Sequence, residues 1–167
     1  MKKYMIIAMA ALWPAFSQAQ TETLNKFKQK YAGMEEVTKV DISGAVFDML
    51  AQIAESEEND PDAEAFSRIS RGLQKMEVLV VPYARTGLSD AEVKDLFAGL
   101  DREKYETYVS VRDGNEKVDV LAREDDGGIG DILILVNGDE EFVMLILQGD
   151  IAYDDLSYLA RKHGNFH

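Results

Sequence analysis

The sequence has no cysteine and very little histidine. Without cysteine the chain forms no disulfide bond and lacks the residue to which bacterial lipoprotein anchors are attached. Its two histidines, His163 and His167, both lie in the last five residues, where we expect them to be exposed to solvent. Because structural zinc sites are built from Cys and His at defined spacings, the sequence predicts none.

Basic residues are also scarce, since 18 Lys and Arg stand against 31 Asp and Glu and give a formal net charge of −13. A chain this acidic repels phosphate backbones, so nucleic acid is not expected as a partner. The charge is interpreted first as a source of solubility. The alternative is that it serves to bind basic proteins or divalent cations.

Residues 1–19 have the order of a secretory signal peptide. Lysines at positions 2 and 3 precede the apolar run Tyr4–Phe16, and small residues follow at Ser17 and Ala19. The run is short and interrupted by Pro14, which disfavours a membrane-spanning helix. We expect cleavage after Ala19, leaving residues 20–167 as a single α+β domain in the periplasm or outside the cell. A buried N-terminal helix is the alternative.

The segment Asp131–Ile151 predicts a central β-hairpin. Two short runs of branched apolar residues, Ile132–Val136 and Phe142–Leu147, flank turn-forming residues. Neither run alternates with polar residues, so we expect both faces of both strands to be covered. A four-residue turn is favoured over a tight two-residue turn, because it pairs Leu135 with Phe142 and keeps carboxylates out of the core.

The rest of the chain supplies helices and further strands for this hairpin. Ser89 and Glu92 form a capping-box pattern before an apolar stripe, the best helix start in the sequence. Periodicity predicts helices at 21–31, 43–54, 62–72, 89–100 and 154–163, and strands at 37–42, 75–82, 106–112, 117–123, 132–136 and 142–147. The fold class is therefore α+β, with a mainly antiparallel sheet of five to six strands (a C-terminal meander) packed with four to five helices.

No group of residues in the sequence predicts catalysis. There is no nucleotide-binding glycine loop followed by a helix, no nucleophile elbow, and no arrangement typical of a triad. The acidic loop Glu124–Asp131 lacks the spacing of a calcium-binding EF-hand loop, so a hairpin turn is the preferred interpretation. Tyr105 and Tyr108 are interpreted as packing aromatics. We therefore assign no catalytic, cofactor-binding or metal-binding residue.

The chain resembles domain-of-unknown-function family 4252. The resemblance lies in the signal peptide, in Val37–Ser43, in the strand Met76–Val81, in the Asp113-Gly114 turn and in the block Glu141–Ile151. It implies a small exported protein of the Bacteroidetes type. Many members resemble lipoproteins anchored through a cysteine, and this sequence departs from them in having none. The resemblance brings no activity, cofactor or site residue.

Two classes of function follow from these observations. The first is an exported, non-enzymatic envelope or secreted module that binds an unknown protein or surface component. The second is a carboxylate-based small-ligand binder or hydrolase, which would need two acidic residues with shifted pKa values converging in one concave pocket. The helices supply enough apolar stripe for one face of the hairpin. We expect the other face to be closed by the N-terminal helix, by a second subunit in a homodimer, or by a partner.

The export prediction can be checked by mass. When a bacterial host expresses the full sequence, the exported material should begin at Gln20, because the small residues at positions 17 and 19 suit signal peptidase. Intact-mass analysis of the exported fraction measures this directly. Material that still carries residues 1–19 would contradict the prediction.

Overall fold

The computed structural model describes residues 21–56, 60–125 and 128–155. In these residues, six strands form one antiparallel sheet in the order β1-β2-β6-β5-β4-β3. The strands are Thr38–Ser43 (β1), Leu73–Pro82 (β2), Glu106–Asp113 (β3), Glu116–Asp125 (β4), Gly128–Asn137 (β5) and Glu141–Ile151 (β6). The predicted α+β class is confirmed, with the C-terminal meander β3 to β6 making four of the strands and the β5–β6 hairpin at the centre.

Five complete helices accompany the sheet in the described residues, and residues 153–155 are also helical. They are Glu22–Tyr31 (α1), Gly44–Glu55 (α2), Pro61–Gly72 (α3), Tyr83–Thr86 (α4) and Asp90–Arg102 (α5). The capping box is confirmed, because Ser89 and Glu92 exchange side-chain and backbone hydrogen bonds at the start of α5. The single turn α4 was not predicted, and it ends at Gly87 with a left-handed φ of 71°. The helix predicted at 154–163 lies outside the described residues from position 156 onwards.

One face of the sheet, which we call the core face, is closed by α1 and α5. Leu133, Leu135, Phe142 and Met144 on the central strands are at most 1% exposed. They belong to one cluster with the apolar stripes of the two helices, namely Leu24, Phe27 and Tyr31 of α1 and Val93, Leu96 and Leu100 of α5. Full burial of such a side chain is worth roughly 1.5–3 kcal/mol, so this layer carries the stability of the domain.

The register of the β5–β6 hairpin differs from the predicted one by two residues. Leu135 lies opposite Met144 rather than Phe142, and Asn137 lies opposite Phe142. The strand extends further because the Asn137 side chain accepts a hydrogen bond from the Tyr83 hydroxyl, a partner that lies far away in the sequence. Since a shift of two residues preserves the alternation of the pleat, every side chain still points to its predicted face.

The second face of the hairpin is only partly covered in the described residues, and the N-terminal helix α1, one of its three expected covers, packs on the core face instead. Ile132, Ile134, Val143 and Leu145 are only half-buried, whereas their neighbours on the core face are buried. The helices α2 and α3 pack against each other and bury few of their apolar side chains. Phe47, Ala51 and Ala65 are buried. Most of the larger apolar side chains of the two helices are exposed, namely Val46, Met49, Leu50, Ile53 and Phe66.

Glu92 joins α1 to the start of α5. Its carboxylate accepts a hydrogen bond from the Tyr31 hydroxyl (3.0 Å) and pairs with the ammonium group of Lys30. It also accepts a hydrogen bond of 3.1 Å from the backbone N–H of Ser89. The Lys30 ammonium, with help from Tyr31 and Ser89, lowers the pKa of Glu92 from its usual 4.5 to about 2.

The two faces of the hairpin should respond differently to a buried charge. Leu133→Asp places an unpaired carboxylate in the core and should cost more than about 4 kcal/mol of unfolding free energy. Val143→Asp, on the half-buried face, should cost about 1–2 kcal/mol and leave the fold intact. Urea denaturation followed by circular dichroism measures both. Equal losses would show that the two faces are equally covered.

The lowered pKa of Glu92 predicts a dependence of stability on pH. Because the folded pKa lies below the unfolded one, Glu92 stabilises the fold fully above about pH 4.5, and the contribution disappears as the pH falls through about 2. The stability difference between wild type and Glu92→Gln should therefore be largest above pH 5 and shrink on acidification. Glu64→Gln on α3 is the control, and thermal melts from pH 7 to pH 2 are the measurement. A difference that is independent of pH would contradict the assignment.

Candidate binding surface

The face of the sheet opposite the core face carries three rows of side chains that cross all six strands. We call it the apolar face. Its central row consists of Val40, Val78, Leu145, Ile134, Val120 and Val109. The row on one side of it consists of Thr38, Val80, Val143, Val136, Val118 and Val111. The row on the other side consists of Ile42, Met76, Leu147, Ile132, Ala122 and Glu106. Only Thr38 and Glu106 of these eighteen positions are polar.

The apolar face is most accessible at its two edges. Val40 on β1 is 45% exposed, and Val109 and Val111 on β3 are 48% and 52% exposed. With strands about 4.8 Å apart and rows about 7 Å apart, the eighteen Cα positions span roughly 24 Å by 14 Å. Exposed apolar patches of a few hundred Å² mark interaction sites more often than plain surface. This face is therefore the first candidate for a binding surface.

The basic residues of the strands all lie on the other side of the sheet. Alternation along the strands places five cations on the core face: Lys39, Lys75, Arg112, Lys117 and Arg123. Arg112, for example, lies directly opposite Lys117, whose ammonium group lies 5.4 Å from the centre of the Phe97 ring of α5. The apolar face consequently receives no Lys or Arg side chain from any of the described strands.

Buried carboxylates hold these cations on the core face. Glu77, 1% exposed, lies 2.6 Å from the Lys28 ammonium of α1 and 3.0 Å from that of Lys75. Burial raises the pKa of Glu77, but the hydrogen bonds and charges of the two lysines outweigh it, so the pKa falls below its usual value. Asp119, 2% exposed, lies 2.8 Å from the ammonium of Lys117. These carboxylates are paired ions that stabilise the fold.

Asp131 is the third buried carboxylate of the core face. It pairs with the guanidinium of Arg123 and accepts a hydrogen bond of 3.1 Å from the Tyr105 hydroxyl. Burial, and then the charge of Asp131, raise the pKa of Tyr105 above its usual range. The interpretation of Tyr105 as a packing residue is thus incomplete, because its hydroxyl also satisfies a buried acid. The sequence contained no local sign of this contact, since Tyr105 and Asp131 belong to different elements.

Carboxylates border the apolar face along both ends of its strands. Asp113 on β3 and Glu116 on β4 lie opposite each other, next to the row that ends at Val111. Glu141 on β6 borders the same row. All three are exposed. At the other end, Glu106 closes the third row, and Glu124 accepts hydrogen bonds from the Tyr108 and Tyr153 hydroxyls. The surface therefore has an apolar centre and acidic margins.

A polar pocket lies beside the turn end of the sheet. It has a volume of about 550 Å³ and is lined by Tyr83, Leu88, Asp90, Asn115, Asn137, Gly138 and Asp139. Burial, and then the charge of Asp90, raise the pKa of Tyr83. Two carboxylates and two amides meet here, which makes this pocket the place for the small-ligand alternative.

Residues 21–56, 60–125 and 128–155 contain neither a group of metal-binding side chains nor a membrane-spanning helix. In this part of the chain no three His, Asp or Glu side chains are grouped so that they could hold a metal ion. Here too, no helix combines the length and the apolar character needed to cross a bilayer. The carboxylates at the two ends of the acidic loop already have partners, Tyr108 and Tyr153 for Glu124 and Arg123 for Asp131.

The described fold is that of an α+β protein with one closed and one accessible sheet face. The sequence model of the family described as "Domain of unknown function (DUF4252)" matches residues 31–159, and the chain belongs to this family. No curated protein and no solved structure matches the chain. The matched range includes every strand of the sheet, so the apolar face lies wholly within the family domain.

Proposed function

We propose that this chain is an exported, non-enzymatic module of the bacterial envelope or exterior that binds another protein or surface component through its apolar face. One observation carries the proposal. Sixteen of the eighteen positions that cross the six strands on this face are apolar, and Val40, Val109 and Val111 on the edge strands are exposed to solvent.

The energetics favour a bound state for this face. Exposed β-branched residues such as Val109 and Val111 gain nothing from facing water. Removing apolar area from water is worth roughly 25 cal/mol per Å², so a partner that covers this face would gain several kcal/mol. Interfaces commonly place such an apolar centre inside a polar rim, as the carboxylate margins do here.

The paired state of the buried acids argues against acid–base catalysis. A general acid or base has to reach a substrate and to change its protonation state at the working pH. Glu77, Asp119 and Asp131 are instead buried beside cations on the core face, beneath α1 and α5. Their ion pairs hold the sheet together.

The polar pocket supports the second candidate, a small-ligand binder or hydrolase. Asp90 and Asp139 line one cavity together with the Tyr83 hydroxyl, which is the convergence of acidic groups that this alternative requires. The cavity is bordered by turns, so a ligand there would lie beside the sheet and would leave the apolar face free. The two candidates therefore involve separate surfaces.

Site-specific photocrosslinking distinguishes them. A photoreactive amino acid at Val109 or Val111 in the exporting bacterium should yield a crosslinked adduct of discrete mass, because these side chains lie on the exposed edge of the apolar face. The control position is Lys94, which is exposed on α5 on the far side of the sheet.

Adducts that form equally from Lys94, or none from either valine, would contradict binding through the apolar face. A small-ligand function would then be tested at the pocket with Asp90→Asn and Asp139→Asn.

A further inference from the structure

We propose that the partner of the apolar face is a basic amphipathic α-helix, with an aliphatic stripe flanked by Lys or Arg on both sides. This inference rests on the proposed function and specifies the chemistry of the partner. Its grounds are the distribution of charge around the apolar face and the dimensions of that face.

Among the described residues of the strands, the charges that border the two ends of the face are negative. Asp113, Glu116 and Glu141 border one end of the strands, and Glu106 and Glu124 lie at the other. Four of the five strand cations lie on the core face beside buried acids, and alternation places the fifth, Arg112, on that face as well. A partner that reaches both margins therefore meets negative charge at each, which favours Lys and Arg at its own edges.

The carboxylates at both ends of the apolar face disfavour two other binding partners, a second copy of the chain and an anionic bilayer. Two copies of the chain packed face to face would bring carboxylate margins together in addition to a formal charge of −13 on each copy. A bilayer containing anionic lipids would repel the face for the same reason. A protein segment with basic edges removes the repulsion and still covers the apolar rows.

The dimensions of the face suit a helix that crosses the strands. The rows lie about 7 Å apart, and Asp113 is three rows away from Glu106. The two acidic ends of the face are therefore separated by roughly 20 Å along the strands. An α-helix with its side chains is about 10–12 Å wide, so one helix laid on the central row covers the aliphatic rows. Lysine side chains on its flanks have long apolar stems and can extend their ammonium groups to the carboxylates at both margins.

The test uses three fluorescent 18-residue peptides and the purified, exported chain. All three contain the same number of leucines. The first has a leucine stripe along one side of the helix with lysines on both flanks, and the second has the same stripe with glutamates on both flanks. The third has the leucines and lysines of the first in shuffled order. Fluorescence anisotropy should show the first peptide binding at least about tenfold more tightly than the other two. Its affinity should fall as salt is added.

Two variants of the chain locate the site. Val109→Ser with Val111→Ser removes exposed apolar area from the face and should weaken the first peptide about tenfold. Its control is Met49→Ser with Ile53→Ser, which removes comparable apolar area from the exposed side of α2.

Neutralising the margin with Asp113→Asn, Glu116→Gln and Glu141→Gln should also weaken binding and flatten its salt dependence. Its control neutralises three exposed acids elsewhere, with Glu64→Gln, Asp95→Asn and Asp101→Asn.

The outcomes separate this inference from the proposed function. Equal binding of the glutamate-flanked peptide would overturn the basic partner but leave binding through the face standing. Equal binding of the shuffled peptide would show that charge alone is responsible. Peptide binding that is insensitive to Val109→Ser with Val111→Ser would contradict the role of the face itself. In sedimentation the wild type should be a monomer, and a dimer that dissociates in this double variant would make a second copy the occupant.

Discussion

Charges removed from water must be paired, and this requirement organises the whole sheet. Three carboxylates, Glu77, Asp119 and Asp131, are buried on the core face, and each is matched by a basic side chain on the same face. An unpaired charge in such a place would cost several kcal/mol, so Lys75, Lys117 and Arg123 are required on that side as partners. The helices α1 and α5 then cover a layer that is apolar in its middle and ionic at its ends. The side chains that the strands place on the opposite face are therefore almost all aliphatic.

Features set by local chemistry could be predicted from the sequence. Alternation identifies β3 and β4, the short apolar runs with their turn residues identify β5 and β6, and Ser89 with Glu92 identifies the start of α5. The register of the central hairpin could not be predicted in the same way. It depends on a hydrogen bond between Asn137 and Tyr83, which come together only in the folded chain. Likewise, the close contact of α1 with α5 at Gly99, where an added Cβ would lie 2.5 Å from the Thr23 side chain, has no local pattern.

The candidate binding surface shows the same limit at a larger scale. The apolar residues of each strand can be identified in the sequence. That they line up in continuous rows across the sheet follows only from the register of the five strand pairs. Periodicity also identified α2 as amphipathic without showing which side would be used. In the structure, Phe47 and Ala51 are on the buried side of α2, and Leu50 and Ile53 are exposed.

The irregularity at Tyr108 has a consequence for polymerisation. The pairing of β3 with β4 skips this residue, and its hydroxyl is held by Glu124 and Tyr153. A bulge on an edge strand interrupts the row of backbone donors and acceptors that another chain would need for pairing along its whole length. A sheet with one aliphatic side and a regular free edge would be able to add copies strand by strand into a fibril. The bulge opposes such growth in the plane of the sheet, and so the aliphatic side remains available for contacts made from above.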